Sequence, residues 1–505
     1  MSIPPEQHEV ARFLKELAGS EPVETHISAV FVGSDMAWKL KKAVRLPFLD
    51  FTTIEARHHF LRRELELNQP SAPAIYRDIA AVVREGDGAL TLMADPGARS
   101  PLDWVLRMAP LAKADFLDAV AARGGLTLAL LDALGDSVAQ YHARLPPVAG
   151  WDSPGTLLRI AEGSRASALA AGLPRAAIER WFEQAASALR ACAASLAARA
   201  AAGFVRRGHG DLHLGNLCLW DGKPTPFDAL EFDEALATAD LGYDLAFLLM
   251  DLDRRVGREA ANRVLNRYVA RTGDAALTCG LPAFLSLRAM IRAHVQAEAG
   301  RPTEGAAYLD AALAYLHRKP ALLLAIGGLQ GIGKSTQARM LAPGIGDAPG
   351  ALVLRSDEIR KRLFGVAPEQ RLPETAYAEA VNEAVNRELV RLAQAVAACG
   401  HAVVADASFL DPGLRAAIAA AANAARVPFI GVWLHAPLDV LEERLAARTH
   451  DASDATADVL RRAAACDPGP INWLPVEASD AIRAASSIRR ELLGGIAGRS
   501  CPQDW

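Results

Sequence analysis

The sequence predicts two domains in series: a two-lobed α+β domain over residues 1–318, then an α/β domain, a parallel sheet covered by helices, over 319–505. Three observations predict this. Residues 23–93 carry short strand-like alternations around a single helical stretch. From about Pro101 long helical periodicities replace them. Beyond Lys319-Pro320 short apolar runs each adjoin a helical period, which is the pattern of a parallel sheet with helices on its faces. A chain of 505 residues also exceeds what one ordinary core organises.

In order, Val30-Phe31-Val32 and Met36–Leu40 flank the turn-forming Gly33-Ser34-Asp35. A helix follows at about Ile54–Asn68, then strands at Ile79–Val83 and Leu90–Met93. These form the first lobe, about 1–100. The second, about 101–300, holds helices at Leu126–Ala143, Arg175–Ala202, Tyr243–Leu252, Arg258–Thr272 and Pro282–Ala299. It also holds two short strands, Leu217–Trp220 and Thr225–Phe227, around Asp221-Gly222. Residues 301–318 read as a helix-like connector. In the last domain the apolar runs are Ala321–Ile326, Ala351–Leu354, Ala402–Ala405 and Phe429–Leu434.

Composition is that of a soluble globular protein, with 51% hydrophobic and 23% charged residues. A net charge of -4 argues against a broad nucleic-acid footprint, which needs a basic domain. The six cysteines, Cys192, Cys218, Cys279, Cys399, Cys466 and Cys501, are scattered. They suggest neither a zinc site nor a disulfide framework, and read as thiols in a reducing compartment. The first residues lack the basic and apolar regions of a signal peptide. No apolar run approaches the ~20 residues of a membrane span. The expectation is a cytoplasmic protein without a membrane partner.

Two segments carry chemistry. The first is His209-Gly210-Asp211-Leu212-His213-Leu214-Gly215-Asn216. Phosphoryl transfer needs a positioned hydroxyl, a group to take its proton, and cations on the phosphates. Asp211 suits the proton acceptor and Asn216 a Mg²⁺ ligand. A second ligand is expected just beyond the next hairpin, where Asp228 is the candidate, with Glu231 and Asp233 as alternatives. The acidic run Glu231, Asp233, Glu234, Asp240 and Asp244 also suits a cationic acceptor such as an amino sugar, with Glu231 the substrate candidate.

On these residues, positions 1–310 resemble the aminoglycoside phosphotransferase and choline kinase family, whose fold is protein-kinase-like. The resemblance implies an ATP-binding lysine paired with a helix glutamate. Lys39 and Glu64 are the candidates, and Lys41, on the same strand face, is the rival lysine. It places Met108 at a hinge against the adenine and starts a helix at Asp240–Leu245. Two departures stand out. Only Thr25-His26-Ile27-Ser28 occupies the place of a glycine-rich phosphate loop, and Asp228-Ala229-Leu230 stands where protein kinases have Asp-Phe-Gly.

The second segment is Gly328-Leu329-Gln330-Gly331-Ile332-Gly333-Lys334-Ser335, which fits G-x-x-x-x-G-K-[ST] between an apolar strand and a helix at Thr336–Leu341. Gly328, Gly331 and Gly333 let backbone N–H groups converge on phosphate oxygens. Lys334 neutralises the β/γ-phosphates, Ser335 ligates Mg²⁺, and Thr336 completes the nucleotide-binding stretch. Asp406 ends a later strand beside the metal. Asp357 follows another strand at the nucleotide crevice and suits a general base, or the N-cap of a helix starting at Glu358. Arg360 suits the acceptor. Arg444 and Arg448, four residues apart, suit clamps on the transferring phosphoryl group, or pairs with Glu442 or Glu443.

Residues 320–480 resemble the small-molecule P-loop kinases: gluconate kinase, chloramphenicol phosphotransferase, zeta toxin and the kinase part of polynucleotide kinase. The whole chain resembles a bacterial fusion of the two kinds. The implied function is an Mg-ATP-dependent tandem phosphotransferase acting on hydroxyls of small molecules. The alternatives are that one half only is catalytic, the P-loop half by preference, or that this half phosphorylates a nucleic-acid end or a nucleotide sugar. Arg355, Arg360, Lys361 and Arg362 cluster as a nucleic-acid contact would, but without interleaved aromatics.

Overall fold

A period of two in the apolar side chains lays residues 28–41 into strands. In the computed structural model, which describes residues 2–46, 49–446 and 452–497, these are β1 (Val23–Glu24), β2 (Ser28–Val32) and β3 (Ala37–Lys41). Helix α1 (Ile54–Asn68) follows, its first turn capped by Thr53. Then come β4 (Tyr76–Arg84), β5 (Leu90–Met93) and β6 (Asp103–Met108). The sheet order is β1-β2-β3-β6-β4-β5, with antiparallel neighbours throughout. Phe31, Leu40, Val82 and Val105 pack on Val10 and Leu14 of an N-terminal helix. On the other face Leu106, Ile75 and Tyr76 meet Leu61 of α1 and Phe227.

Strand β6 corrects the expectation that helices begin at Pro101. Its charges hid it: Asp103 is buried against Arg57 at 2.9 Å, and Arg107 pairs across the sheet with Asp78 at 2.5 and 2.7 Å. Helix α2 (Leu128–Arg144), the hairpin β7 (Leu217–Trp220) with β8 (Lys223–Pro226), and α3 (Leu241–Arg255) lie where the sequence puts them. The stretch Arg175–Ala202 is two helices, broken at Cys192, and a helix at Ser153–Ala170 was not foreseen.

The chain forms two compact units, residues 1–151 with 203–248, and 152–202 with 249–505. In the second, α4 (Arg258–Thr272), α5 (Leu281–Glu298) and α6 (Pro302–Leu316) precede the parallel sheet. Helix α6 is the expected connector, yet it packs closely along α5. A Cβ at Gly305 would stand 2.7 Å from the Ala293 carbonyl, and Ser286 of α5 donates to the Ala312 carbonyl at 2.7 Å.

The parallel sheet contains β9 (Leu323–Gly327), β10 (Leu352–Arg355), β11 (Val403–Asp406), β12 (Phe429–His435) and β13 (Leu474–Glu477), in the order β10-β11-β9-β12-β13. The sequence reading missed β13, whose proline and glutamate interrupt a short apolar run. The other elements used below are α7 (Lys334–Leu341), α8 (Ser356–Leu363), α9 (Glu379–Ala398), α10 (Leu438–Ala446) and α11 (Ala457–Ala465).

Edge strand β10 is closed by α4. Asn266 accepts from the Val353 N–H at 2.6 Å, and Asn262 donates to the Ala351 carbonyl at 3.0 Å. A disulfide joins Cys279 to Cys399 just past the end of α9, which corrects the reading of these two as free thiols. Residues 120 apart in sequence give no spacing signal, and only the packing of α9 on the segment Ala275–Cys279 brings them together. Cys192, Cys218 and Cys466 are free, and Cys501 lies outside the described residues. No described helix is long and apolar enough to cross a membrane.

His401, fully buried before β11, has Nε2 3.1 Å from the Gly350 carbonyl. Burial drives its pKa down to about 4, so it folds neutral. The unfolded chain binds its proton near pH 6.5, so stability is full above that value and drains away as pH falls toward 4. Between pH 7 and pH 5 this site removes about 2 kcal/mol. His401→Gln is expected to flatten the pH dependence of the thermal midpoint of the second unit over that interval, measured by calorimetry.

Candidate active sites

In the first unit the loop at His209–Asn216 is fixed from below. Asp244, buried in the first turn of α3, accepts the N–H groups of His209 at 2.8 Å and Gly210 at 2.9 Å. Its Oδ2 also lies 3.1 Å from His142 Nε2 of α2. His209 meets the Phe227 carbonyl at 2.9 Å and its own carbonyl accepts from Leu230 N–H at 2.9 Å. Burial holds its imidazole below the usual pKa. On this base stands Asp211, whose carboxylate is 42% exposed. Asn216 Nδ2 donates to both the Asp211 carbonyl and Oδ2, each at 2.9 Å.

The two lysines of β3 converge on Glu64 of α1. Lys39 Nζ lies 2.6 Å from Glu64 Oε1 and 2.5 Å from Asp228 Oδ1. Lys41, two residues on and therefore on the same face, lies 2.9 Å from Glu64 Oε2 and bonds to Glu231. The alternatives differ in exposure, Lys39 keeping 11% of its side chain open. Asp228 keeps 40% of its side chain open, whereas Lys41 is fully enclosed and Glu231 nearly so. Burial opposes charge on Lys39, but Asp228 and Glu64 raise its pKa well above the ordinary value. Burial likewise opposes charge on Glu64, and the two lysines still hold it below the usual carboxylate range.

Asp228 has φ +60°, a left-handed backbone that a non-glycine residue holds only when its surroundings enforce it. Its N–H donates to Tyr76 Oη and that of Ala229 to Asn68 Oδ1, both at 2.9 Å. Two ammoniums face three carboxylates here, and hard oxygens with surplus negative charge suit a divalent cation. Asn216 and Asp228 would hold it. Thr25–Ser28 form the β1–β2 turn, where the Thr25 N–H donates to the Ser28 carbonyl at 2.8 Å. Met108 ends β6 with its side chain in the core beside Phe227.

The acidic run is not a cation-binding surface, which corrects that expectation and with it Glu231 as a substrate residue. Glu231 is buried on Lys41. Asp233 caps a short helix through Leu236 N–H, and Glu234 pairs with Arg63 and Arg207. Asp240 takes the Gly242 N–H, and Asp244 anchors the loop. The signal for Asp244 was present as a lone acid in the otherwise apolar Leu241–Met250.

In the second unit the glycine-rich loop joins central strand β9 to α7. Gly328, Gly331 and Gly333 have φ of +139°, +79° and +94°. A Cβ at Gly328 would stand 2.7 Å from the Leu434 carbonyl, and one at Gly331 would stand 2.8 Å from that of Leu441. Lys334 Nζ bridges the Gly328 and Leu329 carbonyls at 3.0 and 2.9 Å. Ser335 Oγ donates to Asp406 Oδ2 at 2.6 Å, a hydroxyl–carboxylate pair of hard oxygens that fits Mg²⁺. Thr336 is exposed on the first turn of α7.

Asp357 lies in the first turn of α8, which begins at Ser356, so it is not the N-cap. Burial raises its pKa, with Arg355, Asp406 and Lys334 all within electrostatic reach. Arg360, one turn along, is buried, donates to the Ala376 carbonyl at 2.7 Å and stacks on Tyr377 with 4.7 Å to the ring centroid.

Arg444 is a correction. Its guanidinium is taken by backbone carbonyls, those of Ala478 at 2.9 Å, Ser479 at 2.5 Å and Ile332 at 3.4 Å. It ties α10 to the glycine-rich loop and to the segment after β13. Arg448 lies outside the described residues. The basic cluster is also spent internally. Arg355 is on Glu358 and Asp406, Lys361 on Asp454, and Arg362 on the Ala270 carbonyl.

A protein of Mycobacterium tuberculosis, described as uncharacterized, is 30% identical over 461 residues, covering 88% of this chain and 89% of the relative. The chain belongs to that family. Within it, the AAA domain family model matches residues 323–466, from β9 through α11. An adenylyl-sulfate kinase of Myxococcus xanthus is 32% identical over 130 residues, 25% of this chain and 64% of that protein. The solved structure of an aminoglycoside phosphotransferase, APH(4)-Ia, in ternary complex with AMP-PNP and hygromycin B is 13% identical. It covers 61% of this chain and 98% of its own, with a TM-score of 0.38.

The two lysines make distinct predictions. Lys41→Met leaves Glu231 buried without its partner, and is expected to destabilise the first unit by about 3–5 kcal/mol in urea unfolding. Lys39→Met, at the more open pair, is expected to cost less stability and to remove the nucleotide affinity of that unit, read by calorimetric titration in a Lys334→Ala background.

Proposed function

We propose that the chain is an Mg-ATP-dependent tandem phosphotransferase that moves γ-phosphoryl groups to hydroxyls of small molecules. The observation that carries this reading is the convergence in the second unit of Lys334, the Ser335–Asp406 pair and Asp357. These are a phosphate cation, a metal-binding oxygen pair and a carboxylate raised toward useful basicity. The likeness of this half to an adenylyl-sulfate kinase supports it.

In that unit the loop N–H groups and Lys334 hold the phosphates. Ser335 and Asp406 would hold Mg²⁺, which when bound would supply charge neutralisation to the phosphates. Asp357 takes the acceptor proton. Arg360, a buried cation with its Nε unpartnered, favours an acceptor that carries an anionic group near the reacting hydroxyl. In the first unit Asp211 is the base, Asn216 and Asp228 would hold the metal, Lys39 is the phosphate lysine, and the end of β6 at Met108, whose side chain is in the core, would face the adenine through its backbone.

The glycine-free turn Thr25–Ser28 favours a second reading for the first unit alone, that it binds nucleotide without turning it over. Separate variants decide between them. Asp357→Asn and Asp211→Asn are each expected to lower one phosphorylated product by about 10²–10⁴-fold in a mass-spectrometric screen of metabolites with ATP. A single product, lost in Asp357→Asn and untouched by Asp211→Asn, would establish the second reading. Full turnover in the double variant would refute both.

A further inference from the structure

The segment Ala452–Thr456, which leads into α11, is strapped onto α8. Ala452 is buried. Asp454 Oδ2 accepts from Lys361 Nζ at 2.6 Å, Tyr377 Oη at 2.6 Å and the Leu372 N–H at 3.0 Å. That three-way anchor sets the neighbouring half-buried Ser453 against α8, where its hydroxyl donates to the Asp357 carboxylate. The same carboxylate senses the charges of Lys334 and Asp406. A hydroxyl bonded to a carboxylate that lies within electrostatic reach of Lys334 and Asp406 has the partner an acceptor hydroxyl needs.

We propose that Ser453 is itself an acceptor and that the second unit phosphorylates its own strap at this residue. The inference rests on the reading of this unit as an Mg-ATP phosphotransferase. As the bond from Ser453 Oγ to the γ-phosphorus of ATP forms, the bond from that phosphorus to the β,γ-bridging oxygen breaks. ADP leaves, and the hydroxyl proton passes to Asp357. The phosphoserine then carries a charge of about -1.5 to -2 beside Asp357 and Asp454. Like-charge repulsion drives the strap off α8 and opens the acceptor position. Ser453 thus holds the site shut until the first turnover, and a small acceptor competes with it for the same carboxylate.

The test uses the full chain with Mg-ATP and no added acceptor, followed by peptide mass spectrometry and nucleotide titration. One phosphoryl group is expected on Ser453, forming with first-order kinetics independent of protein concentration. It should be absent in Lys334→Ala and Asp357→Asn, and unchanged in Asp211→Asn, which separates it from the first unit. Ser453→Ala should bind ATP as the parent does and show no mark. An unmarked Ser453 in protein that still turns over ATP through Lys334 overturns the inference and leaves the phosphotransferase reading standing. A mark that persists in Asp357→Asn overturns it as well. Loss of all Lys334-dependent nucleotide binding and turnover removes both.

Discussion

A carboxylate taken out of water must be met by positive charge or by hydrogen-bond donors, because leaving it bare costs several kcal/mol. Both candidate sites are organised by that requirement. In the first unit Glu64 reaches two lysines of one strand, and each lysine reaches a second carboxylate on the segment after the β7–β8 hairpin. Sheet, helix and segment are therefore locked by one five-charge network. Its closed half, Lys41 with Glu231, serves the fold. At its other end Asp228, on Lys39, keeps 40% of its side chain open.

The same logic fixes the loops. Asp244 spends its carboxylate on two backbone N–H groups and a histidine, so the turn that presents Asp211 is rigid before any ligand arrives. In the second unit Asp406 is met by Ser335 and Arg355, and Asp357 by Ser453. Acids that would bind cations or protons during a reaction are thus held in place by neighbours that an incoming group displaces.

Much of this was legible in the sequence. The glycine-lysine-serine loop, the His-x-Asp loop, the hairpins and Ile54–Asn68 all follow from local pattern and lie where it puts them. What escaped depends on partners far along the chain. Strand β6 carries buried charges that only its neighbours neutralise. The acids at 231–244 resemble a binding surface until each is seen bonded within the protein. Arg444 has the spacing of a clamp, but its donors go to carbonyls more than thirty residues away on one side and more than a hundred on the other. The disulfide and the strap at Ser453 likewise have no local signature.

The closure of β10 by α4 bears on how this protein is divided. The sequence suggests a cut near 318, between a kinase-like domain and a P-loop cassette. Yet Asn262 and Asn266 supply the hydrogen bonds that a further strand would supply, and a covalent bridge fastens the same helical region to the end of α9. A cassette excised at 318 carries an open strand edge, which recruits other strands and aggregates. The P-loop half cut at 318 is therefore not a portable module: the helices before it, which belong to the same compact unit, are its missing wall.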